Sequence, residues 1–532
     1  MGDFWSIFFE EEKDGASFPF GDAAPGGASS RRRDGAPPSA IRFDDRFMFW
    51  ALRNLPIGDA PKHFLVCGTV GSGKTILINL FLQSVAERFQ ADRDPPEQLI
   101  IFDAKCDIVP TLAALGYHPN HPNVWVMNPF DKRSAVWNLA EAVQEPAMAR
   151  YLATLLVPEE RRSNAPYFTD AAREILYAVI VALNTRWKSR WTFRDLLCAL
   201  DSSEHIQGVV KHDSHAERHA RQFINDTEHF HSVLSSLATK LGPFTQVASL
   251  WHTRGQAKAF SVKEFLRQPG VLILGYDPVL NDSLWPMNAL LLKALTNEIL
   301  RGPDTRQPRH WFVLDEFRAM QRVECMVDLL NRGRSKGASV LLGLQSVEGM
   351  VELYGESGAN EILGLCGHKT FVRAGGPQTA TWASDFFNNV RTTEQVISEQ
   401  WGTTGCSTTV QYQVQDRPLF LPSMFTGLPY PEKGTLVAIN DVPALNAATI
   451  AERPFAQIKS WLIEPTADDA IRPRENITDQ KIKPWTEAEE DSFCGGEKPV
   501  TKATGNPSKT KKAPKLPERE NIEKPGRRMR KG

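Results

Sequence analysis

Hydrophobic positions along the chain fall into short runs, which are separated by longer stretches with helical spacing. Each run has the length and apolar density of a buried strand. Strands that alternate with helices predict an α/β fold, with a mixed, mainly parallel sheet covered on both faces. The runs occupy residues 63–67, 99–102, 124–127, 271–275, 311–314, 339–344, 370–372, 435–439 and 455–462.

One part of the chain lacks this alternation. Between about residues 140 and 256 we find no strand pattern, only stretches such as 170–184 and 219–241 with apolar residues three and four positions apart. We therefore predict an all-α domain at residues 140–256. It would interrupt a single α/β domain formed by residues 41–139 and 257–470.

Both ends of the chain have the composition of disordered segments. Residues 15–38 are dense in Gly, Ala, Pro and Ser, which predicts a flexible leader over residues 1–40. Past Arg472 the sequence becomes charged and proline-rich, which predicts a disordered basic tail over residues 471–532. From Lys498 onward, twelve Lys or Arg residues against three Glu residues give a net charge of +9.

Composition restricts the environment and the partners. The chain has 532 residues and a net charge of −1, which leaves −10 on everything before Lys498, so any nucleic-acid contact must be local. Its seven cysteines form no C-x-x-C pair, and their odd number argues against a secreted disulfide framework. No stretch has the apolar length of a membrane span, and the N-terminus lacks a basic signal region. A reduced, cytoplasmic compartment is expected.

The segment VCGTVGSGKT, residues 66–75, fits the phosphate-loop pattern G-x-x-x-x-G-K-[ST]. A strand pattern precedes it and a helix pattern follows it, so a chance glycine-rich turn is disfavoured. In such a loop the backbone N–H groups and the helix N-terminus surround phosphates. Lys74 would reach the β- and γ-phosphates of ATP, and Thr75 would supply a hydroxyl to Mg²⁺. The expected nucleotide contacts are Gly68, Thr69, Val70, Gly71, Ser72, Gly73, Lys74 and Thr75.

A second candidate piece of the pocket is HWFVLDEF, residues 310–317. Its apolar run predicts a buried strand that delivers Asp315 and Glu316 at its carboxyl end, where open α/β sheets bind ligands. Asp315 would hold Mg²⁺, and Glu316 could accept a proton from an attacking water. A solvated acidic pair at a strand end is the alternative, and the phosphate loop makes it less favoured.

Two further candidates follow in the sequence. The strand pattern 339–344 ends at Gln345, whose amide could contact both the γ-phosphate and a water, unless it is only a polar strand end. The preceding turn carries Arg334 among other basic residues. An arginine there could reach a phosphate bound by a neighbouring subunit, although a solvated charge run is an equally open interpretation.

Three histidines have a spacing compatible with metal binding. His212, His215 and His219 fall on one face of a predicted helix. No cysteine or further clustered ligand completes a site, and neighbouring charged residues mark an exposed surface. We therefore favour a solvated helix face and predict no metal other than Mg²⁺.

Several motifs together resemble the type IV secretion coupling proteins, the TraD/TraG-type ATPases of bacterial conjugation. The similarity covers about residues 50–465 and follows the order of the family's motifs. Taken together, the motifs are far more specific than the phosphate loop alone. They read LPIGDAPKHFLVCGTVGSGKT, LIIFDAKCD, VWVMNPFDKRSAVWNLAE, YFTDAAREIL, SLWPMNALLLKALTNEIL, FVLDEFRAM, GRSKGASVLLGLQS and LYGESGANEIL.

The resemblance implies a RecA-like P-loop domain interrupted by an all-α domain, and a ring of six subunits with ATP between them. By motif, Lys74 and Thr75 would bind nucleotide and Mg²⁺, and Asp315 and Glu316 would be the Walker-B pair. Gln345 would be the sensor and Arg334 the inter-subunit arginine. The implied partners are single- or double-stranded DNA bound without sequence preference, a relaxase or relaxosome, and components of a secretion channel.

Two departures from the family pattern stand out. Where the family has Asp-x-Lys-Gly-Glu, this chain reads Asp103-Ala104-Lys105-Cys106-Asp107, which predicts a differently shaped turn and leaves Lys105 without an assigned role. The N-terminal membrane helices of typical members are also absent from this sequence. Two interpretations fit this absence. The protein could dock on a membrane partner at the inner face of the cell membrane, or it could work away from a channel.

Three functions from different classes remain open. We favour an ATP-driven DNA translocase. A P-loop switch or small-molecule kinase is disfavoured by Glu316, by Gln345 and by the large insertion. A soluble P-loop adaptor would recruit DNA-processing proteins without translocating DNA, and it would bind ATP without hydrolysing it.

Overall fold

The structure is a computed structural model, and it describes residues 45–159, 166–225, 227–252, 258–402, 405–443, 447–466, 472–475 and 481–495. The predicted leader, residues 1–40, lies outside these ranges. So does the basic segment from Lys498 onward.

The strands form one large sheet and three small two-stranded sheets. The large sheet has nine strands in the order β15-β14-β11-β3-β10-β9-β4-β8-β5. Neighbours from β11 to β5 pair in parallel, whereas β14 and β15 pair antiparallel at one edge. The strands are β1 (Phe47–Trp50), β2 (Arg53–Pro56), β3 (Phe64–Cys67), β4 (Gln98–Asp103), β5 (Val124–Met127), β6 (Val136–Trp137), β7 (Ala259–Phe260), β8 (Gly270–Leu274), β9 (His310–Asp315), β10 (Ala338–Leu344), β11 (His368–Phe371), β12 (Asn389–Gly402), β13 (Gly405–Pro418), β14 (Thr435–Val442) and β15 (Ala447–Pro454).

Helices cover both faces of this sheet and form the inserted segment. They are α1 (Lys74–Val85), α2 (Ile108–Ala114), α3 (Leu139–Ala142), α4 (Pro146–Leu156), α5 (Pro166–Trp187), α6 (Phe193–Ala199), α7 (Ser203–Val210), α8 (Ser214–Ile224), α9 (Thr227–Leu241), α10 (Thr245–Trp251), α11 (Val262–Phe265), α12 (Asn281–Arg301), α13 (Met326–Asn331), α14 (Glu348–Leu365), α15 (Pro377–Phe386), α16 (Pro422–Gly427), α17 (Phe455–Trp461) and α18 (Glu487–Cys494).

The core lies on the two faces of the sheet because successive strand residues point in opposite directions. In β3, Phe64 and Val66 join the cluster beneath α1, while Leu65 and Cys67 join the cluster on the other face. Buried strands of this kind must be apolar on both faces, which is why they appear in the sequence as continuous hydrophobic runs.

The helical insertion leaves and re-enters the sheet domain at one place. The short strands β6 and β7 pair in parallel immediately before α3 and after α10, so the two ends of the insertion lie side by side. Within the described part of residues 139–251 the chain forms helices without a strand. The longest of these helices, α5, contacts α4, α7, α8 and α9.

The structure corrects several sequence predictions about individual elements. Residues 455–461 form α17 and not a strand, because Phe455, Ile458 and Trp461 recur at three-residue spacing after Pro454. The stretch 219–241 is two helices, α8 and α9. The long hairpin of β12 and β13 had no counterpart among the predicted elements.

The tail predicted to lack structure from residue 471 also contains ordered pieces. Residues 472–475 contact the loop after β5, and residues 481–495 pack on α6 and α7. Arg194 donates to the carbonyls of Lys483 and Pro484 and pairs with Glu489. The rings of Trp485 and Phe493 stack with centroids 4.7 Å apart. Apolar and capping residues within the charged sequence therefore fasten this segment to the inserted helices.

No helix among the described residues is both long enough and apolar enough to cross a membrane.

Candidate nucleotide site

The phosphate loop connects β3 to α1 at the carboxyl edge of the sheet. Gly71 and Gly73 adopt φ angles of +73° and +104°, a region that favours glycine. A Cβ on Gly68 would lie 2.3 Å from Cγ2 of Val372, so this position also has no room for a side chain. The loop therefore needs its glycines for conformation and for close packing.

Lys74 begins α1 and folds back over the loop. Its Nζ donates to the carbonyls of Gly68 at 2.5 Å and of Thr69 at 3.0 Å. Burial lowers the pKa of this ammonium group, and the nearby charge of Lys105 lowers it further. The group is thus held by weak backbone acceptors in a site that would favour an added anion.

Asp315 and Glu316 lie at the end of β9, close enough for their charges to act on Lys74. Asp315 is buried, and its Oδ2 atom has no hydrogen-bond partner among the described residues. Burial raises the pKa of Asp315, while the charges of Lys105 and Lys74 oppose that rise. A buried carboxylate oxygen without a partner is costly, so this atom is suited to a cation.

Glu316 leaves the strand with a left-handed backbone, φ +53°, which is uncommon for a residue with a side chain. Its Oε2 atom accepts a hydrogen bond of 2.5 Å from Nε2 of Gln345, the residue that follows β10. The Nζ atom of Lys105 lies 3.6 Å from the same oxygen. Glu316, the proposed base, therefore contacts Gln345, the proposed sensor. Lys105 approaches the same carboxylate oxygen of Glu316.

Lys105 and Asp103 are the site residues that sequence reasoning missed. Asp103 ends β4 directly beside Asp315 in the strand register. Its Oδ2 atom accepts from the backbone N–H of Ile108 at 2.6 Å, and burial raises its pKa to about 6. The signal was present, because Asp103 ends a buried strand in the same way as Asp315 does.

The unusual turn after β4 keeps a backbone shape that glycine favours. Cys106 stands where the family pattern has glycine, and its φ angle is +59°. Cys106 thus adopts a conformation that glycine adopts readily, and the differently shaped turn stays a prediction. The turn places Lys105 beside Glu316.

These residues fit a nucleotide with Mg²⁺. The loop has glycines where side chains would fill the space for phosphates, and Lys74 is a buried cation beside it. Asp315 has a buried carboxylate oxygen without a hydrogen-bond partner among the described residues. Thr75 follows Lys74 in the first turn of α1, next to the loop.

Arg334 lies away from this site in its own chain. It belongs to the turn Gly333–Lys336, which precedes β10, whereas Gln345 follows that strand. A strand of seven residues is roughly 23 Å long, so Arg334 and the phosphate loop lie at opposite edges of the sheet. The side chain of Arg334 is exposed.

The predicted histidine face does not gather a metal site. His212 precedes α8, while His215 and His219 lie within it with ring centroids 4.5 Å apart. His219 approaches Glu174 at 3.8 Å. Among the described residues no group of three or more His, Cys, Asp or Glu side chains could hold a metal ion.

Comparison with known proteins gives a consistent result. Residues 51–449 match the model of the type IV secretion-system coupling protein DNA-binding domain. The chain is 22% identical over 346 residues to the coupling protein TraD of Escherichia coli (strain K12), covering 62% of this chain and 45% of TraD. It is 20% identical over 346 residues to the type IV secretion system-coupling protein VirD4 of Bartonella quintana (strain Toulouse), covering 62% of this chain and 54% of VirD4. The chain thus spans about half the length of the curated relatives it matches.

Solved structures show the same fold. The bacterial conjugative coupling protein TrwB without its first residues, in the unbound monoclinic form, superposes with a TM-score of 0.58 at 18% identity, covering 78% of this chain and 89% of that one. TrwB in complex with ADP and Mg²⁺ gives a TM-score of 0.58 at 17% identity, covering 81% and 92%. The RecA-like α/β fold predicted from the resemblance is confirmed. Because the family model matches residues 51–449, most of the chain, this protein belongs to the family of type IV secretion-system coupling proteins.

Proposed function

We propose that this protein is an ATP-hydrolysing motor of the conjugative coupling-protein type. It binds DNA or a DNA–protein substrate and delivers it to a type IV secretion channel. The observation that carries the proposal is the convergence of Lys74, Asp315, Glu316 and Gln345 at one edge of the sheet, in a chain that belongs to this family.

The phosphate loop would hold ATP. Backbone N–H groups from Gly68 to Thr75 and the N-terminus of α1 surround the phosphates, and Lys74 exchanges its two carbonyl contacts for phosphate oxygens. Thr75 and Asp315 would hold Mg²⁺, which would neutralise charge on the phosphates. The solved TrwB complex with ADP and Mg²⁺ supports this assignment through the shared fold.

Glu316 is the proposed base. Its carboxylate accepts the proton that a water molecule loses as it becomes the nucleophile. Gln345 and Lys105 hold Oε2 of Glu316, which leaves Oε1 to receive the water. Gln345 is therefore placed to link the state of the γ-phosphate to the position of the base.

A ring of six copies would complete the site. Arg334 lies at the sheet edge opposite the phosphate loop of its own chain, which supports a role at the site of another copy. In that position its guanidinium stabilises charge on the transferring phosphoryl group. The motor works in the cytoplasm, receives DNA from a relaxase or relaxosome, and attaches peripherally to the membrane through protein contacts with channel components.

The test is ATP hydrolysis by the full chain, measured without DNA and with single- or double-stranded DNA. We expect DNA-stimulated turnover that Lys74→Ala abolishes, while Lys263→Ala, which removes an exposed lysine, has wild-type rates. Equal turnover by Lys74→Ala would contradict the assignment. Binding of ATP without hydrolysis would favour the adaptor, and phosphate transfer to a metabolite independent of DNA would favour a kinase.

A further inference from the structure

The hairpin of β12 and β13 projects from the folded body. Its two strands of fourteen residues each pair from Asn389 with Pro418 to Gly402 with Gly405. Every described side chain from Asn389 to Arg417 is exposed except that of Thr392, which is half-buried. An isolated two-stranded hairpin is marginally stable in water, so a hairpin of this length is expected to have a partner.

The two faces of the hairpin differ in polarity. One face carries Ile397 opposite Val410, followed along β13 by Tyr412 and Val414, with exposed fractions of 57%, 45%, 71% and 61%. On the other face Val396 lies opposite Gln411. The remaining described side chains of this second face are mainly Thr, Ser and Gln. The first face also carries the exposed ion pair of Arg391 with Asp416 near its root, so its apolar part is the patch of Ile397, Val410, Tyr412 and Val414, which nothing in the described chain covers.

The root of the hairpin is firmly fixed. The rings of Phe387 and Phe420 pack with centroids 4.9 Å apart, and the N–H of Leu419 donates to the carbonyl of Asn388 at 3.0 Å. Ser384 donates its hydroxyl to the carbonyl of Phe420 at 2.6 Å. The body therefore determines where the hairpin points.

The same root leads to the phosphate loop. Beyond the hairpin, Phe425 accepts a hydrogen bond from the N–H of Ala374, which follows β11. The chain then reaches Tyr430, whose ring lies 3.9 Å from the position of a Cβ on Gly71. The hairpin therefore starts at the carboxyl edge of the sheet, beside the nucleotide site.

The chemistry of the hairpin disfavours DNA and lipid as partners. Between Asn389 and Pro418 it has two arginines, three carboxylates and no lysine, so it cannot neutralise a row of phosphates. Both outer strand edges present backbone N–H and C=O groups that pair with no other described strand, which would be costly in a membrane. No proline or lysine before Pro418 blocks these edges against pairing with protein.

We propose that the apolar face of this hairpin packs on a neighbouring copy of the same chain in the assembled ring. The inference rests on the proposed function, since a neighbour must bring its Arg334 edge to the carboxyl edge where the hairpin starts. The apolar patch spans about five residues along the strands, or about 17 Å by 10 Å, roughly 170 Å². A standard interface buries about 800 Å² on each partner, so the hairpin adds to a contact between the bodies and does not form a dimer alone.

The test compares two adjacent residues on opposite faces. Full-length Ile397→Lys changes the apolar face, and Val396→Lys makes a similar change on the polar face as a matched control. Assembly is followed by sedimentation velocity over a range of protein concentrations, with a non-hydrolysable ATP analogue. We expect Ile397→Lys to raise the midpoint concentration of assembly at least tenfold, equivalent to about 1.4 kcal/mol, and Val396→Lys to change it less than about threefold.

A second variant removes residues 394–413 and joins the paired residues Thr393 and Val414 by Asn-Gly, which suits a two-residue hairpin turn. It should bind the ATP analogue as the wild type does but assemble as poorly as Ile397→Lys. Assembly of both variants at the wild-type midpoint would overturn the inference. A wild-type protein that stays monomeric would also overturn it. The same holds if Ile397→Lys weakens binding to DNA or to phosphatidylcholine/phosphatidylglycerol vesicles. A wild-type protein that neither binds nor hydrolyses ATP would instead refute the proposed function.

Discussion

Replacing Glu316, the proposed base, by glutamine removes the basicity of the side chain but preserves its shape. The new amide keeps the length of the side chain, and its oxygen can still accept the hydrogen bond that Gln345 donates at 2.5 Å. What it loses is basicity. General-base catalysis contributes about 10²- to 10⁴-fold, so we expect turnover to fall by at least about a hundredfold, or about 2.7 kcal/mol of barrier.

The change should affect the fold very little. Glu316 also attracts Lys105 at 3.6 Å, but both side chains reach solvent, with exposed fractions of 16% and 30%. Such an ion pair contributes less than about 1 kcal/mol, so the melting temperature should move by only a few degrees.

Phosphate release under single-turnover conditions, together with the affinity for a fluorescent ATP analogue, would measure the two effects separately. Glu361→Gln, on the exposed side of α14, is the matched control and should leave both unchanged. If Glu316→Gln hydrolysed ATP within about fivefold of wild type, the base would have to be a different group.

Three further predictions concern charge at other positions. Mixing Arg334→Ala chains with Lys74→Ala chains should restore part of the ATPase activity, because some interfaces then pair an intact arginine with an intact loop; no recovery in rings shown to be mixed would argue against a role in trans. Because burial raises the pKa of Asp103 to about 6, the folded state binds more protons than the unfolded state between about pH 4 and 6, and stability falls as pH rises through that range. In urea titrations between pH 4 and 6, Asp103→Asn should remove roughly 3 kcal/mol of the change in unfolding free energy with pH. If that change is the same in the variant, the raised pKa does not belong to Asp103. Arg194→Ala should lower the free energy of unfolding by about 3 kcal/mol, since it removes the cation paired with the buried Asp195 and with Glu489, whereas Arg221→Ala at an exposed pair should cost under about 1 kcal/mol in the same titration.

The sheet was predictable because its strands are buried on both faces. Runs such as Trp311–Leu314 are apolar without interruption, and the charged residues that end them mark the carboxyl edge of the sheet. Lys74, Asp315 and Gln345 could be assigned to one site for the same reason, since parallel strands end at a common edge.

The parts that sequence patterns missed depend on contacts between distant residues. The strands β12 and β13 alternate apolar and polar residues only loosely, and many are Thr, Gln or Ser, so neither strand stands out from a loop. Lys105 contacts Glu316 across 211 positions of sequence, at 3.6 Å, and no local pattern predicts that contact. The segment of Trp485 and Phe493 has too few apolar residues to indicate order until the surface of α6 and α7 is known.

The ordered C-terminal segment changes how the role of the basic tail should be tested. A chain ending near Pro484 would remove Glu489 and Phe493 from the inserted helices, so its defects would mix unfolding with lost charge.

A chain ending at Gly495 keeps these contacts and removes the twelve Lys and Arg residues that begin at Lys498. The rest of the protein is net acidic, so we expect this segment to attract DNA phosphates without sequence preference. We expect the shortened chain to keep its basal ATPase activity and to bind DNA more weakly, with a shallower dependence of log affinity on log salt. If the tail contacts about five phosphates, the slope should fall by roughly 3.5 for single strands and 4.5 for duplex DNA. Replacing the same twelve residues by glutamine in the full-length chain is the control for length, and it should give the same slope. An unchanged slope in both variants would mean that the folded domains hold the phosphates.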